Sequence, residues 1–146
     1  MDRVHGFTLI ELVITVLLIA IIAVLAAPSF QKMIKTYHLE SSTRHLVTLL
    51  SQARSDATVQ RQVITIYLNQ SGTNTGDSKY WKSSGRTQLN GSVQKIEFSP
   101  RGQVLNQTQS LSLQLCDDQA ALSQQARIIS LSRFGLVESV TKGACV

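Results

Sequence analysis

The pattern of apolar and polar positions begins with one long apolar run. The run extends from Phe7 to Phe30, and residues 12–30 within it contain no charged side chain. As an α-helix the run would be roughly 36 Å long at about 1.5 Å per residue, which is enough to cross a bilayer. The pattern therefore predicts a membrane-spanning helix near the N-terminus.

Beyond Phe30 the apolar positions narrow to a single stripe with spacings near three and four residues. The members of this stripe are Met33, Ile34, Tyr37, Leu46, Leu50, Ala53 and Ala57. The spacing predicts that the same helix continues to about Arg61 and packs one side on a globular head. Pro28 lacks an amide donor and crowds the preceding turn, so we expect a bend or a locally unwound turn there.

From Gln62 onward the apolar period changes from helical spacing to two. Five short segments rich in β-branched or apolar residues are separated by turn-forming residues. They are residues 63–68, 93–98, 110–115, 126–131 and 136–140. The predicted fold class is therefore α+β, with one long N-terminal helix packed on an antiparallel β head.

One acid interrupts the apolar run close to its start. Glu11 ends the sequence Gly-Phe-Thr-Leu-Ile-Glu, which occupies residues 6–11. A carboxylate in a membrane-spanning segment costs on the order of 2.5 to 3.5 kcal/mol on insertion scales. We therefore expect Glu11 to have a partner charge.

Residues 6–11 resemble the cleavage signal of type IV prepilins and type II secretion pseudopilins, in which the leader ends in Gly and the mature chain begins Phe-Thr-Leu-Ile-Glu. The resemblance implies that prepilin peptidase cuts between Gly6 and Phe7 and methylates the new amino terminus of Phe7. It also implies that Glu11 offsets the N-terminal ammonium of a neighbouring subunit as the helices assemble. The protein would then be a single-pass protein of the inner membrane, with its head in the periplasm.

Two other interpretations of the N-terminus stay open. An ordinary secretory signal also has an apolar region, and Ala26-Ala27 resembles its small-residue cleavage site, but Glu11 would then lie inside that region. A plain signal anchor would span the membrane equally well, although it gives no account of residues 6–11.

The head carries a second, less specific resemblance. Residues 96–102, with the sequence Ile-Glu-Phe-Ser-Pro-Arg-Gly, precede two apolar strands and a turn at Gly135. This arrangement is similar to the GspH/FimT/FimU group of minor pilins and pseudopilins. It implies a minor structural subunit of a type IV pilus or a type II secretion pseudopilus, whose partners are other pilin or pseudopilin subunits, prepilin peptidase and, in the secretion case, exported protein cargo.

Binding of DNA is the alternative function, because the chain carries 14 Lys and Arg against 9 Asp and Glu. A basic surface favours anionic partners such as nucleic acid, although a mixed soluble surface explains the same excess. Members of the group that take up DNA use a Gly-Arg-x-Arg element, whereas residues 135–138 read Gly-Leu-Val-Glu. Phosphate contacts could come from Lys79, Lys82, Arg86, Arg101, Arg127, Arg133 and Lys142, of which Arg127, Arg133 and Lys142 are the candidates chosen, with Trp81 as a base-stacking candidate.

Cys116 and Cys145 are the only two cysteines. In the oxidising periplasm that the resemblance implies, they are expected to form a disulfide, as in several minor pilins, and a pair of buried thiols is the alternative.

The sequence contains no recognisable catalytic motif, metal site or cofactor site, so we expect a protein that is not an enzyme. The expected organisation is a leader at 1–6, a transmembrane and assembly helix at 7–30, an amphipathic continuation at 31–61 and a β-rich head at 62–146.

Overall fold

A computed structural model describes residues 7–105, 107–117 and 125–145 of the chain. Contacts between residues divide it into two compact units, one up to Ile34 and one from Lys35 onward. The secondary structure of the described residues consists of one helix and seven strands. In chain order these are α1 (Leu9–Gln60), β1 (Ile64–Leu68), β2 (Ser78–Trp81), β3 (Gln88–Asn90), β4 (Lys95–Phe98), β5 (Leu111–Cys116), β6 (Gln125–Leu131) and β7 (Val137–Ala144).

The first unit is the apolar part of α1. Its side chains from Phe7 to Ile34 are exposed, and its most apolar window has a mean hydropathy of 3.1. By length and composition α1 can cross a membrane. The helix continues without interruption through Pro28, so the locally unwound turn that the sequence suggested is not present. Loss of one backbone hydrogen bond does not interrupt a helix of 52 residues.

In the second unit, α1 buries one face against the β-strands. The buried residues of this face are Leu39, Ser42, Thr43, Leu46, Leu49, Leu50, Ala53 and Ala57. The later part of the predicted stripe is thus buried, whereas Tyr37 remains 63% exposed. The buried face is wider than the predicted stripe, because it also includes Leu39, Ser42, Thr43 and Leu49.

The strands form two sheets, one with the order β2-β1-β4 and one with the order β3-β5-β6-β7. The five predicted strands correspond to β1, β4, β5, β6 and β7. Strands β2 and β3 were not predicted, because they have only four and three residues and one buried side chain each, Trp81 and Leu89. A segment that short shows no readable alternation.

One strand pair differs from the antiparallel arrangement that the sequence predicts. Strand β2 runs parallel to β1, with Thr65 opposite Ser78 and Leu68 opposite Trp81. The connection of residues 69–77 returns along β1 before β2 begins, and the Thr65 amide donates to the Asp77 carbonyl at 2.8 Å. All other pairs of strands are antiparallel, so the head is an α+β domain with a mostly antiparallel β structure.

Candidate assembly site

The helix α1 begins at a threonine cap. The Glu11 amide donates to the Thr8 hydroxyl at 3.3 Å, and the Leu12 amide donates to the Thr8 carbonyl at 3.2 Å. A threonine three residues before a glutamate is a typical start of a helix, since its hydroxyl satisfies an amide that has no partner within the helix. Thr8 was not among the residues singled out from the sequence, although the Thr-x-x-Glu spacing indicates this role.

The cap places Glu11 in the first turn of α1. The free amides at this end give the helix a partial positive charge, which favours a carboxylate in the first turn. Among the described residues, none forms an ion pair with Glu11. Gly6, the predicted cleavage position, lies outside the described residues. The structure therefore presents Glu11 as a carboxylate still available for a partner.

Exposed apolar side chains surround this carboxylate. Phe7 is 77% exposed, Leu9 82% and Ile10 64%, and none of the most apolar window of α1 is buried within the chain. A surface of this kind is stable in lipid or against other apolar helices, but not in water. An available acid on an uncovered apolar helix is the geometry expected of a subunit that packs through its N-terminus.

Comparison with known proteins relates both the N-terminus and the fold to pilins. Residues 1–27 match the family model described as the prokaryotic N-terminal methylation motif. A crystal structure of the type IV minor pilin FimU from Pseudomonas aeruginosa is similar to the chain with a TM-score of 0.56, at 18% identity over 77% of this chain and 98% of that one. The chain has the pilin fold. A second crystal form of FimU gives a TM-score of 0.50, at 18% identity over 70% of this chain and 92% of that one, and no curated protein sequence matches the chain significantly.

The pilin head contains the expected disulfide. Cys116 at the end of β5 is bonded to Cys145, just after β7, with 5.9 Å between the Cα atoms. Strand β6 lies between β5 and β7 in the sheet, so the bond ties the C-terminal residues across β6. The Asn90 side-chain amide lies 3.2 Å from the Cys116 sulfur, which places β3 beside the same bond.

Arg127 does not lie where the DNA-binding alternative requires it. It is only 7% exposed, and its Nη2 donates to Glu40 Oε1 of α1 at 3.1 Å. Its Nη1 donates to the carbonyl of Ala126 at 3.2 Å. A buried guanidinium that is already paired with a carboxylate does not reach a phosphate at the surface. The prediction of Arg127 as a DNA contact is therefore corrected, and the residue joins α1 to the sheet instead.

The other two candidate contacts are exposed but far apart. Arg133 lies in the turn before β7, with its guanidinium carbon 4.6 Å from the centre of the Phe134 ring, whereas Lys142 lies near the far end of β7. The five steps from Val137 to Lys142 alone span roughly 17 Å of extended strand. The structure does not bring Arg133 and Lys142 into one site.

Other basic side chains are neutralised within the head. Lys79 pairs with Asp56 of α1 at 3.2 Å, and Lys95 pairs with Glu97 at 2.9 Å. The hydrogen bond that Lys95 donates to Glu97, together with the charge of that carboxylate, raises the pKa of Lys95 above its ordinary value. Trp81 is completely buried in the core and offers no surface for a base. Ion pairing leaves the net charge unchanged, but it engages Lys79 and Lys95 with carboxylates of the same chain.

Proposed function

We propose that the chain is a minor pilin-like subunit of a type IV pilus or of a type II secretion pseudopilus. Prepilin peptidase cuts it between Gly6 and Phe7 and methylates the amino group of Phe7. The processed protein remains in the inner membrane, with its head in the periplasm, until it enters the filament. The observation that carries the proposal is the capped, unpaired Glu11 on an exposed apolar helix, within a matched methylation motif.

Assembly in this proposal is governed by charge and apolar packing. Cleavage after Gly6 creates an ammonium group at Phe7. Two unit charges about 4 Å apart attract by about 4 kcal/mol at an effective dielectric constant near 20, comparable with the penalty of placing a carboxylate in the membrane. The ammonium of one subunit therefore offsets the Glu11 carboxylate of its neighbour, while the exposed apolar side chains of α1 pack between them.

The proposal is tested by the substitution Glu11→Gln, which removes the charge and keeps the shape. The matched control is Thr15→Val, because Thr15 is exposed in the same helix and its hydroxyl donates to the Leu12 carbonyl of that helix at 2.8 Å. We expect both variants to insert in the membrane and to lose the leader. Only Glu11→Gln should be depleted from the sheared or purified filament fraction, by at least tenfold, and its normal incorporation would contradict the charge-pairing argument.

Pilus and pseudopilus are separated by the phenotype of a deletion. A secretion subunit should co-purify with other pseudopilins, and its loss should stop the export of folded proteins while surface motility is preserved. A pilus subunit should give the opposite result. A role as a DNA receptor has less support, because Arg127 is buried and paired and Trp81 belongs to the core.

A further inference from the structure

Two glycine turns of the head meet at one point. In the first, Gly102 donates its amide to the Ser99 carbonyl at 2.8 Å, and in the second, Gly135 donates its amide to the Ser132 carbonyl at 2.9 Å. Both glycines have a φ of 74°. A Cβ atom on Gly135 would lie only 2.2 Å from the carbonyl oxygen of Gly102. The two turns are therefore in direct backbone contact.

This contact brings the backbones of two arginines, Arg101 and Arg133, close to each other and to the side chain of a third, Arg54. Arg101 precedes Gly102, Arg133 lies in the turn of Gly135, and Arg54 comes from α1. The Arg54 Nε donates to the Phe134 carbonyl at 3.1 Å, and the Val104 amide donates to the Arg133 carbonyl at 2.9 Å. We name Arg54, Arg101 and Arg133 the arginine cluster.

The arginine cluster has no acidic partner among the described residues. The ion pairs described for the head join Lys79 to Asp56, Lys95 to Glu97 and Arg127 to Glu40. Arg101 and Arg133 are exposed, and Arg54 is half-buried. Guanidinium groups bind carboxylates in a planar, two-point geometry and are weakly hydrated, so they are favoured in interfaces with acidic surfaces.

Exposed apolar side chains lie beside the cluster. Phe134 is 48% exposed and Leu136 is 52% exposed, and the Arg133 guanidinium lies over the Phe134 ring. Arginine and aromatic residues together are enriched in the cores of protein interfaces. A nucleic acid is bound through several phosphate contacts, whereas three basic side chains of the head, Lys79, Lys95 and Arg127, are already paired with acids.

We propose that the arginine cluster, with Phe134 and Leu136, docks a carboxylate-bearing and partly apolar surface on the head of another pilin-like subunit. This inference rests on the proposed function, because assembly through α1 is what brings heads together. Charge complementarity identifies the partner surface, which presents Asp or Glu to the arginines and an apolar side chain to Phe134. The contact fixes which neighbour lies next to this subunit.

The test places a photoreactive p-benzoylphenylalanine at Phe134 of the full-length protein, in cells that produce the complete assembly. The control places it at Val140, which is exposed to a similar degree, 46% against 48%, but lies on β7. We expect ultraviolet light to join position 134 to a peptide of another pilin-like subunit that contains Asp or Glu. Position 140 should give at most a tenth of that yield.

Charge reversal then tests the role of the arginines. The double substitution Arg101→Glu and Arg133→Glu should lower the crosslink from position 134 by at least tenfold, and Arg101→Gln with Arg133→Gln should lower it less. The matched control is Lys82→Glu, at an exposed lysine outside the cluster, which should leave the yield unchanged. An unchanged thermal unfolding midpoint of the head and an intact disulfide show that the variants fold.

The outcomes separate this inference from the proposed function. If the wild-type protein enters the filament fraction but position 134 gives no adduct, or an adduct that charge reversal does not change, the docking inference alone is overturned. A nuclease-sensitive adduct also overturns it, since the partner is then nucleic acid. If the wild-type protein never enters a filament fraction, the proposed function fails and this inference fails with it.

Discussion

The ion pair between Glu40 and Arg127 should stabilise the head by joining α1 to β6. At 3.1 Å and an effective dielectric constant of 20, two unit charges attract by about 5 kcal/mol. The Glu40 side chain is 45% exposed, so solvent screens much of this attraction. Removing the acid nevertheless leaves a buried guanidinium with only a backbone carbonyl for a partner. We expect Glu40→Gln to lower the free energy of unfolding by about 1 to 2 kcal/mol.

The assay is equilibrium unfolding in urea of residues 31–146 at 25 °C, monitored by circular dichroism. This segment contains the buried hydrophobic core of the described residues, which extends from Leu39 to Leu131. A double-mutant cycle with Arg127→Met isolates the pair and should give a coupling energy of roughly 1 to 2 kcal/mol. The control is Glu138→Gln, at an exposed acid of β7. The reasoning is refuted if Glu40→Gln has no larger effect than Glu138→Gln, or if the coupling lies below about 0.3 kcal/mol.

Three further predictions concern the turns, the disulfide and a loop carboxylate. Gly135→Ala should destabilise the head by more than about 3 kcal/mol, because it adds a backbone clash to the strain of a positive φ. Gly91→Ala, whose added methyl group meets open space, should cost about 1 to 2 kcal/mol from the positive φ alone. Equal losses of the two variants in urea unfolding would contradict this. Reduction of the disulfide, whose cysteines are 29 residues apart, should lower the free energy of unfolding by roughly 3 to 4 kcal/mol, and an unchanged urea midpoint would argue against that contribution. The hydrogen bond that the Thr75 hydroxyl donates holds the pKa of Asp77 below its ordinary value. The carboxylate therefore stabilises the head at neutral pH, and this contribution is lost as the pH falls through the lowered pKa. Thr75→Val should raise the Asp77 pKa in an NMR titration, and an unchanged pKa would exclude the hydroxyl as the cause of the lowering.

The sequence predicts those parts of the fold that depend on periodicity. The end of α1 at Gln60 was expected near Arg61, because the apolar spacing changes from helical to alternating at that point. The five predicted strands were readable for the same reason. The parallel position of β2 was not readable, since it depends on how residues 69–77 fold back along β1.

Charge in the head was the feature that sequence reasoning described least well. Arg127 lies in a strand segment where any basic side chain could face solvent, and only the packing of α1 shows that Glu40 reaches it. The arginine cluster was equally hidden, because the turns that carry Arg101 and Arg133 touch at Gly102 and Gly135, beside the side chain of Arg54. Spacing along a chain does not reveal contacts made through tertiary structure.

The central claim is that this chain is processed at its N-terminus and assembled through α1. The most direct test is the mass of the N-terminal peptide, measured on protein from cells that contain active prepilin peptidase. The account predicts a peptide that begins at Phe7 and carries one methyl group on its amino terminus. A peptide that still begins at Met1, or that begins after Ala27, would contradict it.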